Sequence, residues 1–560
     1  MADCGTPEKP LCLADIDFST RPNSYPGIVL TGEAFDRGVE YGRVFADKIR
    51  ANVARHLNHP DLPFWSNCVP RIRDVYLPAL ERHWHIGFME LRGMALGSGV
   101  NLHQLVFLNA REDLAAIRHL LEPYRIGPKG RREEPQDPIA TTSACFSHRV
   151  TADGAPVLAH TWSTSKQVHD ENLIVCLEIQ YPPWEELSNL FMVVEAGMIS
   201  GCGMSADGLA VTGNGLFSSG DIIPAAGDGS FPMTCLERGV LEWGYMDSTR
   251  RMCERLERHA SKHLLLVDGN GSSMSLELGV ERIFAHYGVP GNHTKVHANH
   301  FQSFEAFASR RKATDRYPDR QHSAARLERV TNLIAERRGD GVSRQQIQDI
   351  FSDHGDSSAN LCQHRHNNRV SMTAAFVMFD TKRKVISVCK GPPCQGVMMH
   401  FTFQKFAGGD DGAVDAEMKD VETANADAEM REFGDDVTSD TAMDVDVVDA
   451  KNVVADAEMK DVQKNNNNSD PRSRGGPLNG SHGVRRGTLA ARARDAAAPY
   501  PPQAKRVTMT ARRTTAMTDV IWKSFASRSR APVEAMPPPP PPASPVGSLG
   551  DATDAFMDET

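Results

Sequence analysis

Three hydroxyl side chains stand together at Thr141-Thr142-Ser143, and Ala144-Cys145-Phe146 follows them directly. Beyond Asp153-Gly154 comes a second run, Val157-Leu158-Ala159-His160-Thr161-Trp162. Both runs are rich in β-forming residues, and Asp-Gly accepts the positive φ of a reversing chain, so the pair reads as a β-hairpin. One hydroxyl at the head of a strand is ordinary dressing. Several together, just after the break made by Pro135 and Pro138, point to a nucleophile at a strained peptide bond. A second concentration of reactive side chains is Cys362-Gln363-His364-Arg365-His366. These are metal-ligating types, yet no second pair stands at zinc-site spacing in the sequence, so neither a metal nor a cofactor is expected.

The elements that must position these residues follow from apolar spacing. Gly32 to Gly42 opens a helix that continues through Phe45, Ile49 and Val53, and its glycines suit close helix packing. Residues 70–97 read as a second helical region. Asn101 caps a third helix, expected to carry Arg111 on its last turns. Residues 123–134 form a charged loop, read either as a surface insertion or as a linker between two processed chains. From Thr141 the pattern turns strand-rich, with short apolar runs at 173–179, 190–194 and 208–212. Two helices are expected over 232–260, then strands at 262–267, 274–278 and 295–298. Helices at 323–336 and 343–351 and closing strands at 374–380 and 384–389 complete a mixed α and β domain.

At 560 residues the chain exceeds what one core usually organises. The excess lies after Phe406, where apolar density collapses. Asp415 to Val421 recurs as Asp456 to Val462, and a Gly- and Arg-rich stretch and the prolines Pro537 to Pro542 follow. Such composition cannot bury enough surface to offset chain entropy, so 407–560 is read as a disordered tail whose proline run suits a polyproline-reading protein partner. The net charge of -10 argues against nucleic acid. No apolar run reaches the roughly eighteen residues of a membrane helix. The start of the chain lacks the apolar core of a secretory signal, its end lacks a peroxisomal Ser-Lys-Leu, and the 11 scattered cysteines suit reduced thiols. An intracellular protein is expected.

Several blocks in one order carry a more specific resemblance. Arg92-Gly93-Met94-Ala95-Leu96-Gly97-Ser98-Gly99, Phe107-Leu108-Asn109-Ala110-Arg111, Thr141-Thr142-Ser143, Glu195-Ala196-Gly197, Gly208 to Asn214 and His297-Ala298-Asn299-His300 are similar to blocks of the isopenicillin-N acyltransferase-like family, the peptidase C45 family of N-terminal-nucleophile hydrolases. The resemblance implies an α+β fold, a four-layer αββα sandwich over 26–400, preceded by an extension, 1–25. It implies a precursor that cuts itself at Ala140-Thr141, freeing an α-amine of pKa about 8 that takes the nucleophile's own proton. Thr141 is then the nucleophile, with Ser143 and Cys145 as fallbacks and Asn299 as oxyanion donor. Glu195, Asn214, Arg111, Trp162 and Ser163 fall where the family lines its site, and a further family arginine falls near Arg369. The implied partners are a small acyl donor, such as acyl-coenzyme A, and an amine acceptor.

The chain departs from the family at three polar positions. Thr141 stands where the family has Cys, and Thr161-Trp162-Ser163 where it has Asn-Trp-Asp. Threonine with an N-terminal amine is itself a competent pair. Ser163 has no charge with which to orient an ammonium. Two functional readings therefore stand: an acyl-transferring enzyme, and a non-catalytic relative that keeps the fold as a binding scaffold.

Overall fold

The computed structural model describes residues 9–124, 140–227, 229–288, 294–303, 314–337, 339, 341–355, 359–364 and 371–404. Most of the charged loop, Arg369 and the whole of 407–560 lie outside the described residues.

Where the sequence alternates two apolar sets along one strand, both faces must be covered. Ile174–Ile179 is buried throughout: Val175, Leu177 and Ile179 join one core, while Ile174 and Cys176 join another. The same division recurs along Leu190–Glu195 and Lys262–Val267. These strands belong to a sheet with the order Ile283–Tyr287, Ser273–Leu278, Lys262–Val267, Ala210–Gly215, Cys202–Ser205, Leu190–Glu195, Ile174–Ile179, Gly27–Leu30. A second sheet runs Leu11–Cys12, Met398–Thr402, Val385–Lys390, Ser371–Asp380, Val157–Ser165, Thr142–Phe146, Thr294–His297. Ladders are antiparallel except at one edge of each sheet, where Leu11–Cys12 and Gly27–Leu30 pair in parallel with their neighbours.

Three cores set the layers. Leu158, Val377 and Phe379 of one sheet meet Cys176, Phe191 and Leu265 of the other. Helices before residue 122 and the helix Leu236–Trp243 cover the outer face of the sheet that holds Ile174–Ile179. Arg320–Glu336 and Arg344–Phe351 cover the outer face of its partner through Val330, Ile334, Ile347 and Phe351. The core between the sheets is where the strand beginning at Thr142 presents Ser143 and Cys145, because side chains alternate with period two.

The expected hairpin forms: Thr142 pairs with Thr161 and Ser143 with His160, and Gly154 in the connection has φ +66. Two sequence expectations need correction. Arg111 opens its own helix, Arg111–Leu121, because the preceding helix closes at Asn109, with Ala110 between them. The stretch 1–25 is joined to the folded body from Leu11 onward, since Leu11–Cys12 adds an edge strand and Tyr25 donates to the carbonyl of Ala374 at 2.6 Å.

The helices Ala34–Val44 and His85–Ser98 interlock through glycines on both sides. A Cβ on Gly38 would lie 2.1 Å from the Glu90 carbonyl oxygen, and one on Gly93 would lie 2.0 Å from that of Phe35. Both obstacles are backbone, so relief requires the helices to separate. Gly93→Ala is expected to cost about 1–3 kcal/mol through overpacking, read as an earlier midpoint in urea unfolding.

Candidate active site

Thr141 sits between the sheets, one residue ahead of its strand, and is 5% exposed. Its Oγ1 accepts from two side-chain amides, Asn214 Nδ2 at 2.9 Å and Asn299 Nδ2 at 2.9 Å. Its backbone N–H donates to Asn299 Oδ1 at 2.9 Å, and its carbonyl accepts from Arg326 at 2.6 Å. Arg326 is fully buried on the helix Arg320–Glu336, and it also reaches Thr142 Oγ1 at 2.6 Å and Asn299 Oδ1 at 2.8 Å.

Each amide is oriented by what its oxygen receives. Asn299 Oδ1 takes N–H groups from Thr141 and Arg326, so its Nδ2 faces Thr141 Oγ1 and the Gly215 carbonyl, 3.3 Å away. Asn214 Oδ1 accepts the Ser143 hydroxyl at 2.9 Å and lies 3.0 Å from His263 Nδ1. A carbonyl oxygen can only accept, so His263 carries its proton on Nδ1, and Nε2 accepts from Ser275 Oγ at 2.9 Å. Ser143 spends its only proton on Asn214, so it accepts from Thr212 at 3.2 Å and from His160 Nδ1 at 2.9 Å. Burial first, then the nearby Lys262 charge, pushes His160 down to about 3. Burial likewise holds His263 well below the usual histidine range, and its ring stacks at 3.4 Å on His297. His160 and His263 are therefore neutral hydrogen-bonding groups near pH 7.

A cleft of about 1300 Å³ opens beside Thr141, lined among others by Ala140, His160, Trp162, Arg111 and Gln363. A charged triad, Lys262 with Glu112 and Glu237 each at 2.9 Å, lines the same cleft. Burial opposes the Lys262 ammonium, but the two carboxylates outweigh it and hold its pKa above the usual lysine range. Burial pushes Glu237 up to about 7 against the pull of Lys262.

The residues singled out from the sequence divide among these surroundings. Thr141, Asn299 and Asn214 come together in one hydrogen-bonded cluster, with Ser143 behind Asn214. Cys145 is 1% exposed in the intersheet core, where burial raises its thiol pKa. Glu195 forms a buried ion pair with Arg111 at 2.8 Å and reaches Arg55 at 3.7 Å, so it anchors two helices to the sheet. Trp162 lines the cleft, whereas Ser163 is fully buried and faces Thr373 Oγ1 at 3.4 Å. Sequence reading passed over Arg326, His160, His263 and the Lys262 triad. Arg326 lies in a helix with Arg320 and Arg329 nearby, and nothing local distinguishes it from them.

Residues 150–395 match the acyl-coenzyme A:6-aminopenicillanic acid acyl-transferase family. This acyl-transferase match bears out the resemblance read from the ordered blocks, and it includes Asn214, Asn299 and Arg326 but begins after Thr141. No curated protein matches the chain. Among solved structures, a mutant of conjugated bile acid hydrolase from Clostridium perfringens aligns at 11% identity and TM-score 0.31, covering 47% of this chain and 97% of its own. A second variant of conjugated bile acid hydrolase from the same organism aligns at 10% and 0.30, covering 49% and 100%. Penicillin V acylase from Agrobacterium tumefaciens aligns at 14% and 0.29, covering 44% and 82%. No described helix is long and apolar enough to cross a membrane.

The triad generates a pH prediction. A carboxyl raised in the folded state favours the protonated form there, so its stabilising contribution is complete below about 4.5 and is lost as pH rises through about 7. Lys262→Met removes the cation that permits Glu237 and Glu112 to ionise, leaving charge buried without a partner. The variant is expected to lose about 3 kcal/mol at about pH 8.5 and distinctly less at about pH 5.5, where the carboxyls can be protonated. Urea unfolding at both pH values measures the difference.

Proposed function

We propose that the chain is a self-processing N-terminal-nucleophile acyltransferase or amidohydrolase that works through an ester on Thr141. The observation that carries this reading is the convergence of two amide N–H donors on Thr141 Oγ1, at the wall of a cleft. The succession of helices, sheet, sheet and helices suits the αββα sandwich of such enzymes.

In the processing step, Thr141 Oγ1 attacks the Ala140 carbonyl carbon. The C–N bond to Thr141 breaks, the amine nitrogen takes the hydroxyl proton, and an ester remains. Water then attacks that ester, releasing the Ala140 carboxylate and restoring the Thr141 hydroxyl beside a free α-amine. In turnover, the α-amine takes the Oγ1 proton as Oγ1 attacks an amide or acyl-thioester carbonyl. Side-chain amide donors held in advance stabilise the oxyanion without reorganising. Asn299 is the donor this proposal assigns to that role, since its Nδ2 stands 2.9 Å from the attacking Oγ1 and its Oδ1 already accepts the Thr141 backbone N–H. The leaving amine or thiol takes the proton back, and an acceptor amine or water, deprotonated by the same amine, attacks the ester.

The family description names acyl-coenzyme A and a β-lactam amine, and small-molecule donors and acceptors of those classes are part of this proposal. An intracellular setting accords with the described cysteines, all of which are free thiols.

Intact mass is the first test. The purified chain should yield one fragment ending at Ala140 and one beginning at Thr141, and Thr141→Ala should remain a single piece. Asn299→Ala is expected to slow amide or thioester turnover by about 100- to 1000-fold, as loss of one oxyanion donor does elsewhere. A wild-type chain that stays whole would overturn the reading, and so would cutting that survives Thr141→Ala but stops in Cys145→Ala.

A further inference from the structure

Between the helix Arg344–Phe351 and the strand Ser371–Asp380, two side chains of the Cys362-Gln363-His364 stretch turn toward two others from elsewhere. His364 Nε2 lies 2.9 Å from His354 Nε2, 3.1 Å from Cys394 Sγ and 3.5 Å from Cys362 Sγ. The two sulfurs are 3.6 Å apart, and all four donor atoms fall within 4.8 Å of one another. Hydrogen bonding does not account for this convergence. A neutral imidazole nitrogen is either one donor or one acceptor, so His364 Nε2 can satisfy only one of the three neighbours.

A shared ion does account for it. Bonds of about 2.0–2.3 Å from nitrogen and sulfur to a tetrahedral centre put the ligand atoms roughly 3.3–3.8 Å apart. The observed separations straddle that range, and closing around an ion requires displacements of about an ångström or less. We propose that His354, Cys362, His364 and Cys394 form a closed site for a structural zinc ion. Two thiols release their protons to solvent as the ion binds, and the resulting thiolates balance its charge beside two neutral imidazoles. Four protein ligands leave no open position, so the ion braces the fold and takes no part in acyl transfer.

The site was hidden in the sequence because its fourth ligand is supplied by topology. Val385–Lys390 pairs antiparallel with Ser371–Asp380, with Lys390 opposite Ala375, and the chain then turns Cys394 back toward His364. His366, the other histidine of the stretch, lies outside the described residues. Zinc here would tie the exit of one helix, the entry to a central strand and the turn before Met398–Thr402. Between two of the ligands stands Gln363, 1% exposed, whose backbone N–H donates to Thr373 Oγ1 at 2.9 Å and whose carbonyl accepts from the Thr373 N–H at 3.0 Å. Gln363 also lines the large cleft, and its side-chain amide has no hydrogen-bond partner among the described residues. The ion would thus fix the segment that presents this amide to the cleft.

The test uses the full chain purified without chelator. Elemental analysis should find about one zinc per chain, and Cys362→Ser with Cys394→Ser should lower the content by about tenfold or more, with Cys12→Ser leaving it unchanged. Should the double variant fail to fold, cobalt loading of the wild-type chain still decides: intense visible bands with thiolate charge transfer mark a tetrahedral site with two sulfur ligands. Zinc below about 0.1 per chain after dialysis against the metal, an octahedral cobalt spectrum, or a Cys362–Cys394 disulfide in reduced preparations would each overturn the proposal. None of these readouts depends on cutting or turnover, so this inference and the reading of Thr141 can fail separately.

Discussion

A primary amide has an accepting end and a donating end, and aiming the donating end at a chosen oxygen means occupying the other end first. That constraint governs the interior of this protein. Asn214 and Asn299 both point Nδ2 at Thr141 Oγ1 because Ser143, His263, Arg326 and the Thr141 backbone occupy their oxygens. In a low-dielectric interior such a network is strong when every member is satisfied and costly when one is missing. The partners come from strands of both sheets and from a helix on the outer face, so the layers must all be in place for either amide to be oriented.

The second tier serves the same end. His263 stacks on His297, whose Nε2 lies 2.9 Å from Glu277. Burial opposes ionisation of Glu277, yet His297 and the backbone N–H groups of Gln302 and Ser303 outweigh it and hold it down at about 2. A fixed negative charge thus stands beneath a stack of imidazoles whose upper member is kept neutral by burial. The upper ring, His263, is thus held in place beside Asn214 while staying neutral. The charged triad on the cleft wall is built differently, with the Lys262 ammonium shared by two carboxylates.

Local pattern revealed the parts that are locally determined. The hairpin at Thr142, the alternation of helices and strands, and the glycine-spaced first helix were legible because turn chemistry and apolar period act over a few residues. The meeting of Thr141 with Asn214 and Asn299 was legible only through the resemblance of ordered blocks, since their separation in sequence gives no periodic signal. Arg326 and the Lys262 triad left no trace, because what distinguishes a buried cation from a surface one is the set of carboxylates and carbonyls that folding brings to it. The helix boundary at Arg111 was misread because Ala110 belongs to neither helix and carries no Gly or Pro mark. Ser163 keeps its strand position, but its hydroxyl turns to a neighbouring strand.

The chain ahead of Thr141 contributes one edge strand to each sheet, Leu11–Cys12 to one and Gly27–Leu30 to the other, together with most of one helical layer. Severing the backbone at Thr141 would leave those ladders and that packing intact. The two polypeptides would travel through a sizing column as one particle and part only in denaturant. Neither could be expected to refold alone, because each would expose a long apolar face and an unpaired strand to solvent.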